Sequence, residues 1–263
     1  MDTKIVFVGE ERWSTFGAFN LNAFPVELRP NVEACGTRAA IQLVHLNMVK
    51  EAVKKNYKDF QKELKINLTN KFITSLKESH LDSVIVYYDG IDYLTAFHGF
   101  LNSLKSFLDV YSTLICRTIQ PSSGKTLFNQ GRVGEKKISG GRVVNWLKES
   151  APKTFKNSSR LQKVIENHSN NWITEAVKNR DTLSHYGDIK GMEHMHIDLN
   201  PPSYKYSGIF PPLMPDGQLV VDYCSKLLSK LREFVEGSMM LLPNIKKNHI
   251  TFTNFLILGR KNS

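Results

Sequence analysis

The sequence predicts a mainly α fold, a helical bundle of four to five main helices with small β-strand and hairpin elements at the edges. Two kinds of observation predict it. Apolar residues recur at spacings of three and four over three long stretches, Leu81 to Ile119, Ser158 to His185 and Gln218 to Leu242. The β-prone stretches, by contrast, are short and lie at the two ends or around a proline-rich turn. The 263 residues are ample for a sizeable core, and no repeat or clear boundary divides them, so a single domain is expected.

Along the chain, residues 1–30 read as an N-terminal β-rich segment. Lys4–Val8 is β-prone, and Pro25 and Pro30 punctuate the residues after it. From Thr37 the pattern turns helical, and long helices are expected through 37–120. Ile41, Val44, Met48 and Ala52 share one face, and Leu68, Phe72 and Leu76 continue that helix or start another. Leu81 to Ile119 carries the widest apolar stripe, interrupted by Gly90 and Gly99 as close-packing points or a bend, and would span about 60 Å if unbroken. Residues 121–157 form a basic loop or insertion, of which Pro121 to Gly141, rich in Gly, Ser and Lys, is expected as mobile. Within it Arg142 to Ser150 is a short helix stopped before Pro152. Residues 158–242 then hold a helix capped by Ser158 or Ser159, a pair of short strands around Pro201-Pro202, and the last strong helix. Residues 243–263 form a β-prone tail.

Charge narrows the function classes. The formal net charge is +10, which favours polyanionic partners. From Lys125 to Lys163 ten basic residues face only Glu135 and Glu149. A solvated face explains such a run, and so does a phosphate-tracking surface, for which Lys125, Arg132, Lys136, Lys137 and Arg142 are the RNA-binding candidates. Few aromatics are interleaved, so base stacking has little sequence support. No stretch approaches 18 uncharged apolar residues, and the start lacks a basic segment followed by an apolar one. Neither a membrane span nor a secretory signal is expected. Cys35, Cys116 and Cys224 lie far apart, which argues against a disulfide framework and for a reducing, cytoplasmic setting.

The most pointed stretch is Trp172 to Gly187, W-I-T-E-A-V-K-N-R-D-T-L-S-H-Y-G. It places Arg180, Asp181 and His185 in the last turns of an amphipathic helix. Asp181 lies one turn below His185, where a carboxylate can orient the imidazole, and the helix C-terminus favours a cation there. Arg180 is a permanent cation able to hold a phosphate through two nitrogens. Gly187 is a natural stop, leaving the imidazole near an open edge. The same three side chains also serve as ordinary helix-end stabilisers.

R-D-T-L-S-H-Y-G resembles the signature of the HEPN superfamily, an Arg, a polar residue, a short spacer and a His late in a helical bundle. Arg180, Asp181 and His185 match it position by position, and the architecture of residues 80–240 agrees. The resemblance implies a metal-independent endoribonuclease in which the 2′-hydroxyl attacks the adjacent phosphate. His185 would be the general acid/base, Arg180 would stabilise the phosphorane, and Asp181 would orient His185. It also implies a homodimer, RNA as substrate, no cofactor or metal, and a toxin or defence role under an antitoxin such as a minimal nucleotidyltransferase. Relatives without catalysis bind a protein partner, a nucleotide or nucleic acid, and that is the alternative.

Other candidates are weaker. Gly124-Lys125-Thr126 lacks the earlier glycine and preceding strand of a phosphate-binding loop. His194, His196 and Asp198 on one strand face are spaced for a metal, but a half-buried strand gives the same alternation. His98 reads as a satisfied core histidine and Asp109 as a solvated residue beside the apolar stripe. No serine or cysteine stands in a recognisable nucleophile setting.

Overall fold

The computed structural model describes residues 5–9, 12–16, 25–67, 91–124, 127–192, 196–200, 205–243 and 256–257. The fold is mainly α with small antiparallel β elements, as the periodicity predicts. Strands β1 (Ile5–Gly9) and β2 (Arg12–Phe16) pair antiparallel, and β2 also pairs with β7 (Leu256–Ile257), so the two β-prone ends share one sheet. The long helices are α1 (Arg29–Asn67) and α2 (Ile91–Ile119). The hairpin β3 (Gln130–Val133) and β4 (Lys136–Ser139) comes next, then the short α3 (Gly141–Glu149). Helix α4 (Ser158–His168) runs through a π-helical turn (Ser169–Ile173) into α5 (Thr174–Tyr186). Strands β5 (His196–Asn200) and β6 (Lys205–Phe210) form a second hairpin, and α6 (Val220–Met239) is the last helix.

The chain forms two compact units. The larger comprises Met1–Leu43, Leu101–Asn179 and Leu227–Ser263, the smaller Val44–Phe100 and Arg180–Lys226. In the larger unit the core is aromatic. Phe234 of α6 meets Tyr111 of α2 edge-on at 5.7 Å, Phe128 at 6.1 Å and the His168 ring at 5.3 Å. Tyr111 is fully buried, so its hydroxyl needs a partner. It finds Ser238 Oγ at 2.6 Å. Burial drives the Tyr111 hydroxyl pKa up, and the Ser238 contact partly offsets this. In the smaller unit Phe97 of α2 meets Tyr223 of α6 edge-on at 6.2 Å, and Tyr93, Phe100, Leu46 and Val49 are buried with them. Gly99 is a close-packing point, as expected, inside an unbroken α2. A Cβ there would lie 3.2 Å from the His45 ring, so the glycine makes room for an imidazole.

Four expectations need correction. Helix α1 begins at Arg29, not Thr37, and Pro30 sits in its first turn, where the missing N–H costs nothing. The stretch expected as a loop at 121–141 contains the β3–β4 hairpin, with Ile138 and Ser139 buried and the Gly140 N–H bonded to the Asn129 carbonyl at 3.0 Å. Neither Ser158 nor Ser159 caps α4. Asn157 occupies that position, and the Ser158 hydroxyl donates to the Leu147 carbonyl at 2.7 Å. Asp109 is half-buried and engaged rather than simply solvated. Its Oδ1 accepts from Lys105 Nζ at 2.5 Å and from the Phe128 backbone N–H at 2.9 Å. Leu68, Phe72, Leu76, Leu81 to Gly90, Lys125 and His194 lie outside the described residues.

Candidate functional site

The motif residues Arg180 to Gly187 all fall in the smaller unit, at the end of α5. Leu183 is buried and anchors the turn, so its neighbours Ser184, His185 and Tyr186 face outward. Tyr186 is 82% exposed, and its ring lies 6.4 Å from the His185 ring. The helix stops where expected, with Gly187 at φ 73 and its N–H on the Leu183 carbonyl at 3.1 Å. The imidazole of His185 is therefore presented to solvent.

Arg180 and Asp181 form an ion pair, Nη1 to Oδ1 at 3.1 Å, with side chains 26% and 41% exposed. The carboxylate lies on the guanidinium, and no hydrogen bond or ion pair joins it to His185 among the described residues. Adjacent residues on a helix diverge, so this pairing draws the Arg180 head across toward Asp181. Arg180 Nε is buried and has no hydrogen-bond partner. The guanidinium thus keeps donor capacity beyond the ion pair.

A contact that sequence reasoning missed lies on the same turn. His98 Nε2 of α2 is 2.8 Å from Ser184 Oγ, next to His185 in sequence. His98 is satisfied, as expected, but only half-buried. The pair spans 86 positions, and no local spacing signals it. It ties α2 to the motif turn and places a second imidazole beside it. An imidazole on a hydroxyl is also the elementary arrangement of an activated nucleophile.

The basic candidates gather in the larger unit. Arg132 on β3 and Lys136 and Lys137 on β4 are exposed, and so is Arg142 at the start of α3. Arg132 and Lys137 are direct cross-strand partners, a like-charge pair that an anion would relieve. The hairpin seats on α3 through glycine. A Cβ on Gly131 would lie 2.6 Å from the Arg142 nitrogen, and one on Gly141 would strike the Gly131 carbonyl. His196 and Asp198 lie on β5, where His196 pairs with Phe210 and Asp198 with Gly208. Among the described residues no cluster of His, Cys, Asp or Glu is arranged to hold a metal, and no helix is long and apolar enough to cross a membrane. Cys35, Cys116 and Cys224 are buried and none is in a disulfide, and burial pushes the Cys35 and Cys224 thiols up.

No family model, curated protein or solved structure matches the chain.

Proposed function

We propose that this protein is a metal-independent endoribonuclease of HEPN type. The observation that carries the reading is the exposed His185 at the open end of α5, with the Arg180 guanidinium one to two turns below it on the same helix. His185 is the general acid/base and Arg180 the stabiliser of the developing phosphorane charge. Asp181 holds Arg180 in the unliganded protein and yields it to the scissile phosphate. Lys125, Arg132, Lys136, Lys137 and Arg142 supply contacts to the RNA backbone. Transesterification needs one group to take a proton and another to give one. A homodimer supplies the second group as His185 of the other copy. A cytoplasmic toxin or defence effector, restrained by an antitoxin such as a minimal nucleotidyltransferase, fits this activity.

One observation favours a second reading. The Arg180–Asp181 ion pair part-neutralises the cation that catalysis needs, as it would in a non-catalytic HEPN-like helical module that binds a protein partner, a nucleotide or nucleic acid. RNA cleavage in EDTA separates the two. The wild type leaves cyclic-phosphate and 5′-hydroxyl ends, and His185→Ala loses about 10²- to 10⁴-fold, the usual worth of a positioned acid/base. Equal activity in both proteins removes His185 from the chemistry. A wild type that binds RNA and never cuts it leaves the binding module.

A further inference from the structure

The larger unit contains a cleft of about 440 Å³ that none of the motif residues lines. Its walls reflect helical spacing. Asn31, Ala34 and Arg38 stand at i, i+3 and i+7 on α1, and Asp109, Val110 and Arg117 lie along one face of α2. Leu127, just before β3, closes one side. The volume is in the range that holds a small organic ligand.

The charge in this cleft is unbalanced. Its one carboxylate among the described residues, Asp109, already accepts from Lys105 and from the Phe128 N–H. Arg38 and Arg117 have no ion-pair partner among the described residues. Asn31 adds a further donor, because its Nδ2 is buried with no acceptor. Buried donors in native proteins are normally paired, so the Asn31 amide marks a place where an acceptor is missing, in a cleft that the exposed Arg38 and the half-buried Arg117 also line. Val110 and Leu127 give the same cleft an apolar side.

We infer that this cleft binds a small phosphate monoester. The phosphate dianion lies between Arg38 and Arg117, whose guanidiniums suit paired contacts to its oxygens, and a compact apolar body rests on Val110 and Leu127. A small turn of the Asn31 amide brings its orphaned donor onto the ligand. The site is independent of the ribonuclease reading, since Arg180 and His185 take no part in it.

Phenyl phosphate is the probe, titrated calorimetrically into the full chain, with phenol and dimethyl phosphate as controls. One equivalent binds, phenol does not, and dimethyl phosphate, a monoanionic diester, binds at least 10-fold more weakly. Arg38→Gln and Arg117→Gln each weaken phenyl phosphate by about 10- to 100-fold, the value of one charge-assisted hydrogen bond. Lys148→Gln, an exposed cation on α3 outside the cleft, leaves the affinity within about twofold. Urea midpoints of the unliganded variants separate lost binding from lost folding. No heat at millimolar phenyl phosphate overturns the proposal. So does equal weakening in Lys148→Gln, which would mean diffuse attraction by net charge. Equal affinity for dimethyl phosphate overturns the monoester assignment in favour of a nucleic-acid backbone.

Discussion

Removing the Asp109 carboxylate tests whether the chain after α2 is pinned to the helix by a single side chain. Asp109 Oδ1 receives both Lys105 Nζ and the Phe128 N–H, and Phe128 is fully buried against Phe234. Asp109→Ala leaves an orphaned backbone donor, at about 1–3 kcal/mol, and strands an ammonium whose side chain is 12% exposed. A fully buried broken pair costs about 3–5 kcal/mol. The Asp109 side chain is 25% exposed, so solvent screening reduces its share, and the expected total is about 3 kcal/mol. Asp109→Asn keeps an oxygen for the Phe128 N–H and loses only the ionic part, about 1 kcal/mol. Urea unfolding followed by Trp fluorescence measures both. If the alanine variant falls within about 0.5 kcal/mol of wild type, or the asparagine variant costs as much as alanine, the carboxylate is not the anchor.

Packing and burial set two further outcomes. Gly140 has φ +81, and a Cβ there would come within 2.6 Å of Phe128 Cε1, so Gly140→Ala combines backbone strain with a clash against a buried ring. It should cost about 2–4 kcal/mol in the same urea assay, and a loss under about 1 kcal/mol would mean that the ring moves freely. His45 and His168 both have lowered pKa values, chiefly because burial penalises the imidazolium. For His45 a hydrogen bond with the Gly99 backbone opposes this. For His168 the Glu233 charge opposes it and Lys230 adds to it. His168 Nδ1 also accepts from Trp172 Nε1 at 3.0 Å, a bond that a proton on Nδ1 would break. The unfolded chain therefore binds protons more readily than the folded one below the ordinary histidine value of 6.5. Stability is full above that pH and falls as the pH drops from 6.5 toward the lowered folded values. The slope of unfolding free energy between pH 7 and 5 should be shallower in His168→Gln, and an unchanged slope would clear His168 of the effect.

The helices were legible because burial on one face of a helix is written at spacings of three and four. Leu161, Ile165, Trp172, Ile173, Ala176 and Val177 are buried as the pattern requires, although a π turn interrupts the regular helix among them. The end of α5 was legible at Gly187 for a local reason, its positive φ. What escaped depends on partners distant in sequence. The β3–β4 hairpin has four-residue strands, and only Ile138 and Ser139 among its strand residues are buried, so its alternation was too short to read. The two-residue turn Gly134-Glu135 was its one local mark. Asp109 looked solvated because its partner on the far side is a backbone N–H 19 positions away, to which residue patterns are blind. The His98–Ser184 contact escaped for the same reason. At the motif, sequence placed Asp181 below His185, and the competing neighbour Arg180 took the carboxylate instead.

The contact between Gly131 and Gly141 also bears on descent. Each glycine excludes a side chain on the other because backbone meets backbone, so neither position can drift alone and no substitution at one compensates a change at the other. Any relative that keeps the basic hairpin seated on α3 must keep both glycines, ten positions apart, with a third at Gly140 to turn the chain. That spacing is a packing constraint separate from Arg180 and His185. A relative that keeps this seat therefore keeps the Gly131 and Gly141 spacing whatever stands at positions 180 and 185.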